Sequence, residues 1–291
     1  MTRRQAVFTL WTTCLIWGTA FPLAKLGLRD ASPMAFSCAR FVLASALLLP
    51  MLRGTTWEEW RHGAILALLL SLGFGLQTIG LNLTTPSRSG FITALYLVFV
   101  PVILWAIDRS LPDRWAALAL VIALTGMFLL TRHDGQGGGP NLGDFLTLLS
   151  SISFAAHLVA TGAFARRFRI ERLMIGQIIV STLITLVATP ILETPRLHFT
   201  PLLLGVIAYE AVLATVVAIP MQLAAQRVLT PTHTALIFTL EPVVAALASM
   251  LLVGELLTPV QWFGGLLILG GSLLPELGNR LSLPASADPA A

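Results

Sequence analysis

Apolar stretches about as long as a bilayer crossing recur along almost the whole chain, and no other feature restricts the fold so much. A helix needs about 20 mostly apolar residues to span hydrocarbon, where every backbone N–H and C=O must be bonded within the segment. Ten stretches fit, at roughly 7–26, 34–52, 62–83, 88–107, 112–131, 142–164, 174–192, 200–224, 232–253 and 260–277. The links between them are short and polar, such as RDASP, DRSLPDR and ETPRLHFT. Only 11% of the 291 residues are charged, against about 25% in a soluble domain. Water cannot be the solvent of such a chain. The expected class is an all-α membrane protein with ten transmembrane helices.

The basic residues orient it. Cytoplasmic loops carry an excess of Lys and Arg. With the N-terminus inside, 12 basic residues fall on the inner side and 5 on the outer, while Arg40 lies within a span. Both termini are therefore expected in the cytoplasm, with the chain in a bacterial-type inner membrane. All basic residues but Lys25 are Arg, and most flank apolar segments singly or in short groups. The pI near 9.8 thus reflects orientation in lipid rather than a nucleic-acid surface. The basic start and apolar body of the first span imitate a signal peptide. Its apolar part is too long and no small-x-small site follows, so a retained span is expected. Cys14 and Cys38 have no CxxC or metal-ligand spacing and are read as packing residues.

The halves of the chain resemble each other. TPSRSGFITALYLVFVPV, from Thr85, is answered by TPTHTALIFTLEPVV, from Thr230; each has Thr-Pro, a helix and an internal proline, Pro101 or Pro242. LPDRWAAL is answered by LTPVQWFGGL, with Trp115 opposite Trp262. Five spans per half is an odd number, so the second copy would enter the membrane upside down. Interrupted helices at matching positions of inverted repeats point to a secondary transporter with a site near the midplane. The expected organisation is a first repeat over 1–135 and an inverted second over 140–278, around a central cavity. GQGGG at 135–139 would be the joint, and 279–291 a disordered tail.

LIWGTAFPLAKL (15–26), Ala39-Arg40-Phe41, and LEPV…GE with Glu241, Pro242, Gly254 and Glu255 resemble the EamA-type members of the drug/metabolite transporter superfamily. Gln261 and the glycines 264, 265, 270 and 271 extend the likeness. The first half departs from it, having Ile107-Asp108 where a GE element would stand. The resemblance implies two inverted five-helix repeats working by alternating access, with amino acids, other metabolites or drugs exported. Within the superfamily the chain looks most like the YddG-type amino-acid exporters, although the shared motifs do not select a substrate.

Ionisable groups inside a membrane mark functional sites by default. Glu210, His157, Gln77, Tyr96, Trp17 and Tyr209 are the candidates for a substrate cavity. Tyr209 points about 100° away from Glu210 on a helix, so one of the pair is a packing residue unless the cavity is wide. Glu241, Pro242, Pro101, Pro22, Lys25 and Arg40 are the candidates for gating or structural roles. Pro242 has no N–H and crowds the carbonyl of Phe238, which frees an acceptor at a bend. Lys25 and Arg40 are read as anchors that snorkel outward or as makers of helix-to-helix bonds, or else as cations that hold a substrate carboxylate or pair with an acid during gating. Trp105 belongs at an interface. No cofactor or metal is expected, with proton coupling through His157 as an option.

The partners expected are lipid and a small substrate. Glycines such as Gly264 and Gly265 permit close packing inside the chain or in a dimer. Phosphorylated substrates would need more cations. Neither a P-loop nor an HExxH or GxSxG motif in a suitable context argues for an enzyme or an ATP-driven pump. The expected function is export of amino acids or similar amphipathic metabolites. The alternatives are a multidrug or cationic-metabolite exporter and, further off, a membrane protein that transports nothing.

Overall fold

The computed structural model describes residues 1–109, 114–131, 141–256 and 258–281. Its regular structure among these is helical, apart from one isolated bridge between Ala31 and Leu197. The helices are α1 (Arg3–Gly27), α2 (Pro33–Leu48), α3 (Trp57–Leu83), α4 (Pro86–Thr93), α5 (Tyr96–Asp108), α6 (Arg114–Thr131) and α7 (Leu142–Phe164). They continue as α8 (Ile170–Leu192), α9 (Pro201–Ala211), α10 (Ala218–Gln226), α11 (Pro231–Phe238), α12 (Leu240–Val253) and α13 (Pro259–Leu281). Among the described residues, eight segments are long and apolar enough to cross a membrane. They are α1, α2 with its 3-10 extension, α3, α4–α5, α7, α8, α9–α10 and α11–α12. The remaining two, α6 and α13, pack along each other.

Local chemistry sets the helix starts. Thr2–Gln5, Thr56–Glu59 and Asn141–Asp144 form reciprocal capping boxes at the heads of α1, α3 and α7, which satisfy N–H groups the first turn leaves orphaned. Thr85, Thr200 and Thr230 cap α4, α9 and α11, each followed by a proline at the first helical position, where its missing N–H costs nothing. The boxes start α1 and α3 earlier than apolar length alone predicts; α8 also begins early, at Ile170, without a side-chain cap. The expected joint at 135–139 lies outside the described residues. Asn279–Leu281, placed in the expected tail, continue α13, and 282–291 also lie outside the description.

Two spans are broken alike. α4 and α11 are both eight residues long and end at a tight turn, at Ala94–Leu95 and Thr239. The expectation that Pro101 interrupts its span is corrected: Pro101 lies inside α5, and the break precedes it. The match is therefore between Tyr96 and Glu241, the residues just past each break. Packing is reciprocal as well. α1 lies on α12 as α7 lies on α5, α4 touches α12 as α11 touches α5, and α2 meets α8.

Gly18 lets α1 reach α12. A Cβ there would stand 2.6 Å from Val244 Cβ and 2.7 Å from the Glu241 carbonyl oxygen. Small residues permit such backbone approach where lipid supplies no hydrophobic drive between helices.

Candidate functional site

A cavity with about 800 Å³ of empty space, its open mouth included, lies at the centre of the fold. Most of its wall is apolar, with Trp17, Phe21, Phe36, Phe74, Phe154 and Phe238 prominent. Gln77, Thr93, Tyr96, His157 and Gln222 add polar atoms, and Arg40, Glu210 and Glu241 add charge. Two buried apolar clusters flank it. One, with Leu10, Cys14, Leu97, Val100 and Leu236, fills the end nearer the N-terminus of α1. The other, with Leu28, Ala31, Leu203 and Val206, lies at the end where α1 finishes.

Arg40 and Glu210 form an ion pair, Nη1 to Oε2 2.9 Å, with 8% and 1% of their side chains exposed. Charges buried so deeply are tolerated when paired and further hydrogen-bonded. The further bonds come from a defect in the opposite helix. Between α9 and α10, Val212–Val217 is a single π-helical stretch, with Pro220 just beyond it unable to donate to Val216. Such bulges expose backbone acceptors. The Ala214 carbonyl accepts from Trp17 Nε1 at 2.8 Å and from Arg40 Nη2 at 3.4 Å. Thr215 Oγ1 accepts from Arg40 Nε at 2.8 Å while donating to the Glu210 carbonyl at 2.7 Å. The guanidinium also lies 4.1 Å from the Phe74 ring centroid. Arg40 is thus a cross-link between α2 and α9–α10; it does not snorkel.

The Glu241 bend is built from the other half. The Phe238 carbonyl accepts from Tyr96 Oη at 3.1 Å, and that hydroxyl lies 3.4 Å from Glu241 Oε2. The neighbouring Ile237 carbonyl accepts from Cys14 Sγ at 3.4 Å. The acceptor freed by Pro242 is therefore in use, as the sequence implied. Pro242 is buried beside it, while Pro22 and Pro101 lie within α1 and α5 away from the wall.

Trp17, Gln77, Tyr96, His157 and Glu210 come together in the wall, as do Arg40 and Glu241. Gln77 Nε2 donates to Thr93 Oγ1 at 3.0 Å, and His157 Nε2 pairs with Gln177 Oε1 at 3.1 Å. Tyr209 is not in the wall and donates to the Ile16 carbonyl at 2.8 Å. Lys25 is also outside it. Its Nζ donates to the carbonyls of Leu81, Asn82 and Thr84, at 2.7, 3.0 and 2.7 Å, capping the negative end of α3. Lys25→Met should lower detergent-phase unfolding stability by about 1–3 kcal/mol, since it leaves those acceptors without a donor; an unchanged melting curve would contradict this cap. Trp105 is exposed at the end of α5 with Arg109 over its ring.

Other motif residues have structural roles. Gly254 ends α12 with φ 73°, a left-handed conformation that glycine adopts without strain. Glu255 accepts from Ser87 Oγ at 2.8 Å, joining the end of α12 to the start of α4. Gln261 caps α13 reciprocally with Thr258. The sequence reading missed Phe74, Thr215, Gln177 and the ring of Phe238, whose carbonyl alone it had named. Pro220 was the local sign of the bulge; the aromatic residues carried none beyond being apolar.

A cavity holding a few charged groups, set among helices able to cross a bilayer, defines a multi-pass membrane transporter. The chain belongs to the EamA-like transporter family, whose model matches residues 4–132 and 141–275. An uncharacterized transporter of Archaeoglobus fulgidus is 32% identical over 277 residues, covering 94% of this chain and 87% of that one. The uncharacterized inner membrane transporter YedA of Escherichia coli K12 is 27% identical over 291 residues, covering 95% and 91%. A solved crystal structure matches with a TM-score of 0.76 at 18% identity, covering 97% of this chain and all of the other; that likeness concerns the fold. A family of transporters supports the non-enzymatic reading.

Proposed function

We propose that the chain is a secondary transporter exporting small amphipathic nitrogenous metabolites, amino acids or their relatives, across a bacterial-type inner membrane by alternating access. On this reading all ten spans cross the bilayer, α6 and α13 included, as two inverted repeats over 1–135 and 140–278, with both termini cytoplasmic. The observation that carries it is the central cavity, where broken helices from both halves present Tyr96 and Glu241 side by side. The reciprocal packing of α1 on α12 and α7 on α5 supports the inverted symmetry. The two flanking apolar clusters would be the gates, opened one at a time. Interrupted helices at a midplane site are the recurring design of such carriers.

A second reading, a carrier of cationic metabolites or drugs, is favoured by Glu241, which has no ion-pair partner among the described residues. Flux of an amino-acid panel and of lipophilic cations in liposomes, with and without a pH gradient, separates the two and tests proton coupling. Glu241→Gln should leave the protein inserted and lower flux at least about tenfold, the scale of one lost charge-assisted hydrogen bond. Undiminished flux would reject a charged role for this residue.

A further inference from the structure

The cavity wall carries three formal charges, and one of them lacks an opposite partner. Each nitrogen of Arg40 already has a partner: Glu210 pairs with Nη1, Thr215 accepts from Nε, Ala214 accepts from Nη2, and Phe74 covers a face. A ligand carboxylate could bind Arg40 only by displacing Glu210 and leaving that acid buried and unpaired, which is strongly unfavourable. Lys25 is occupied by three carbonyls and lies outside the wall. His157 bonds Gln177 through Nε2. Among the described residues of the wall, no cation without a partner is offered to an anionic group.

Glu241 is in the opposite position. Its Oε2 has the Tyr96 hydroxyl at 3.4 Å, and no cation among the described residues lies within ion-pair distance. It sits in the first turn of α12, where helix N–H groups favour an anion. Tyr96 reaches it, and two further rings in the same wall pack in series behind that one. Trp17 and Phe238 have centroids 5.3 Å apart, and Tyr96 and Phe238 6.4 Å apart in an edge arrangement. A carboxylate bordered by aromatic rings is the chemistry that recognises organic ammonium groups.

We infer that the cavity selects small organic amines with an apolar body over zwitterions and acids built on the same body. The ammonium sits between Glu241 and the rings of Trp17, Tyr96 and Phe238, and the body lies against Phe74 and Phe154. This rests on the carrier reading and, of the two substrate classes weighed there, takes the cationic one and narrows it to small organic amines. It also places α-amino acids second, because their carboxylate finds no unengaged cation.

Phenethylamine, L-phenylalanine and 3-phenylpropionate share one phenylethyl body and differ only in charged groups. Calorimetric titration of the purified full-length chain should show phenethylamine binding at least about tenfold tighter than phenylalanine, with phenylpropionate weakest, the amine alone gaining the charge-assisted bond without stranding a carboxylate. Glu241→Gln, checked for a monodisperse elution profile, should weaken phenethylamine at least about tenfold and level the series. Tyr96→Phe, which keeps the ring and the acid, should preserve the order. Equal or tighter binding of phenylalanine or phenylpropionate, no binding of any of the three, or unaltered amine affinity in Glu241→Gln would overturn the inference. Counterflow in liposomes is scored separately. An amine that binds in this order but is not carried refutes the carrier reading and leaves the binding class standing. Phenylalanine carried without amine binding does the reverse.

Discussion

Arg40→Met should cost about 3–5 kcal/mol of unfolding stability in detergent, because Glu210 would keep its buried charge without a cation. Glu210→Leu alone should cost a similar amount for the mirror reason, stranding Arg40 against the π-helical stretch. Together the two substitutions should recover most of the loss, since replacing a buried ion pair with apolar groups is often neutral or favourable. A thermal-unfolding double-mutant cycle measures this directly, and coupling arises because the residues touch. If the double variant is as unstable as the sum of the single ones, the pair is not what holds α2 to α9–α10. The double variant also isolates function: a stable protein with Trp17 still bonded to Ala214 would show whether the cross-link matters for transport beyond holding helices together.

Gly18→Ala is expected to have the second large effect. The added methyl would meet Val244 Cβ at 2.6 Å and the Glu241 carbonyl oxygen at 2.7 Å. Overpacking of this kind costs about 1–3 kcal/mol. The functional loss should be larger than the stability loss, because relief comes only by moving α12, and α12 carries Glu241. Liposome flux should fall at least about tenfold, as misplacing a binding group does. Adding Val244→Ala should restore little of the stability and less of the flux, since it removes only the Cγ atoms and leaves Val244 Cβ and the Glu241 carbonyl oxygen in the way. Full rescue of both by Val244→Ala would mean that α12 does not have to move.

Much of the site was legible residue by residue. Glu241 and Pro242 announced a bend with a freed carbonyl, and Phe238 now shows that carbonyl in use by Tyr96. Trp17, Gln77, His157 and Glu210 were singled out because polar groups are rare in such spans, and all four line the cavity. Arg40 was legible only as an alternative, an outward anchor or a helix-to-helix bond, and its partners were not legible at all. Its distance from a helix end is a property of one span, whereas its burial depends on Glu210 and Phe74, which other helices bring to it. Pro101 was misjudged for a related reason. A proline permits a bend, but the break occurs where turn bonds at Ala94–Leu95 replace helical ones.

The amino-acid sequence alone determined the solvent this protein folds in and the approximate extent of its spans. Those outcomes follow from apolar length, Thr-Pro starts and capping boxes, all confined to a few neighbouring residues. Tertiary structure alone decided which buried charges neutralise each other and which one is left over. Arg40 meets Thr215 across 175 residues of chain, and the π-helical stretch turns the acceptors of Ala214 and Thr215 toward it. Such a pairing depends on how helices rotate and cross, and no local pattern encodes that. Glu241 remains without a cation for the same reason: packing brought it a tyrosine.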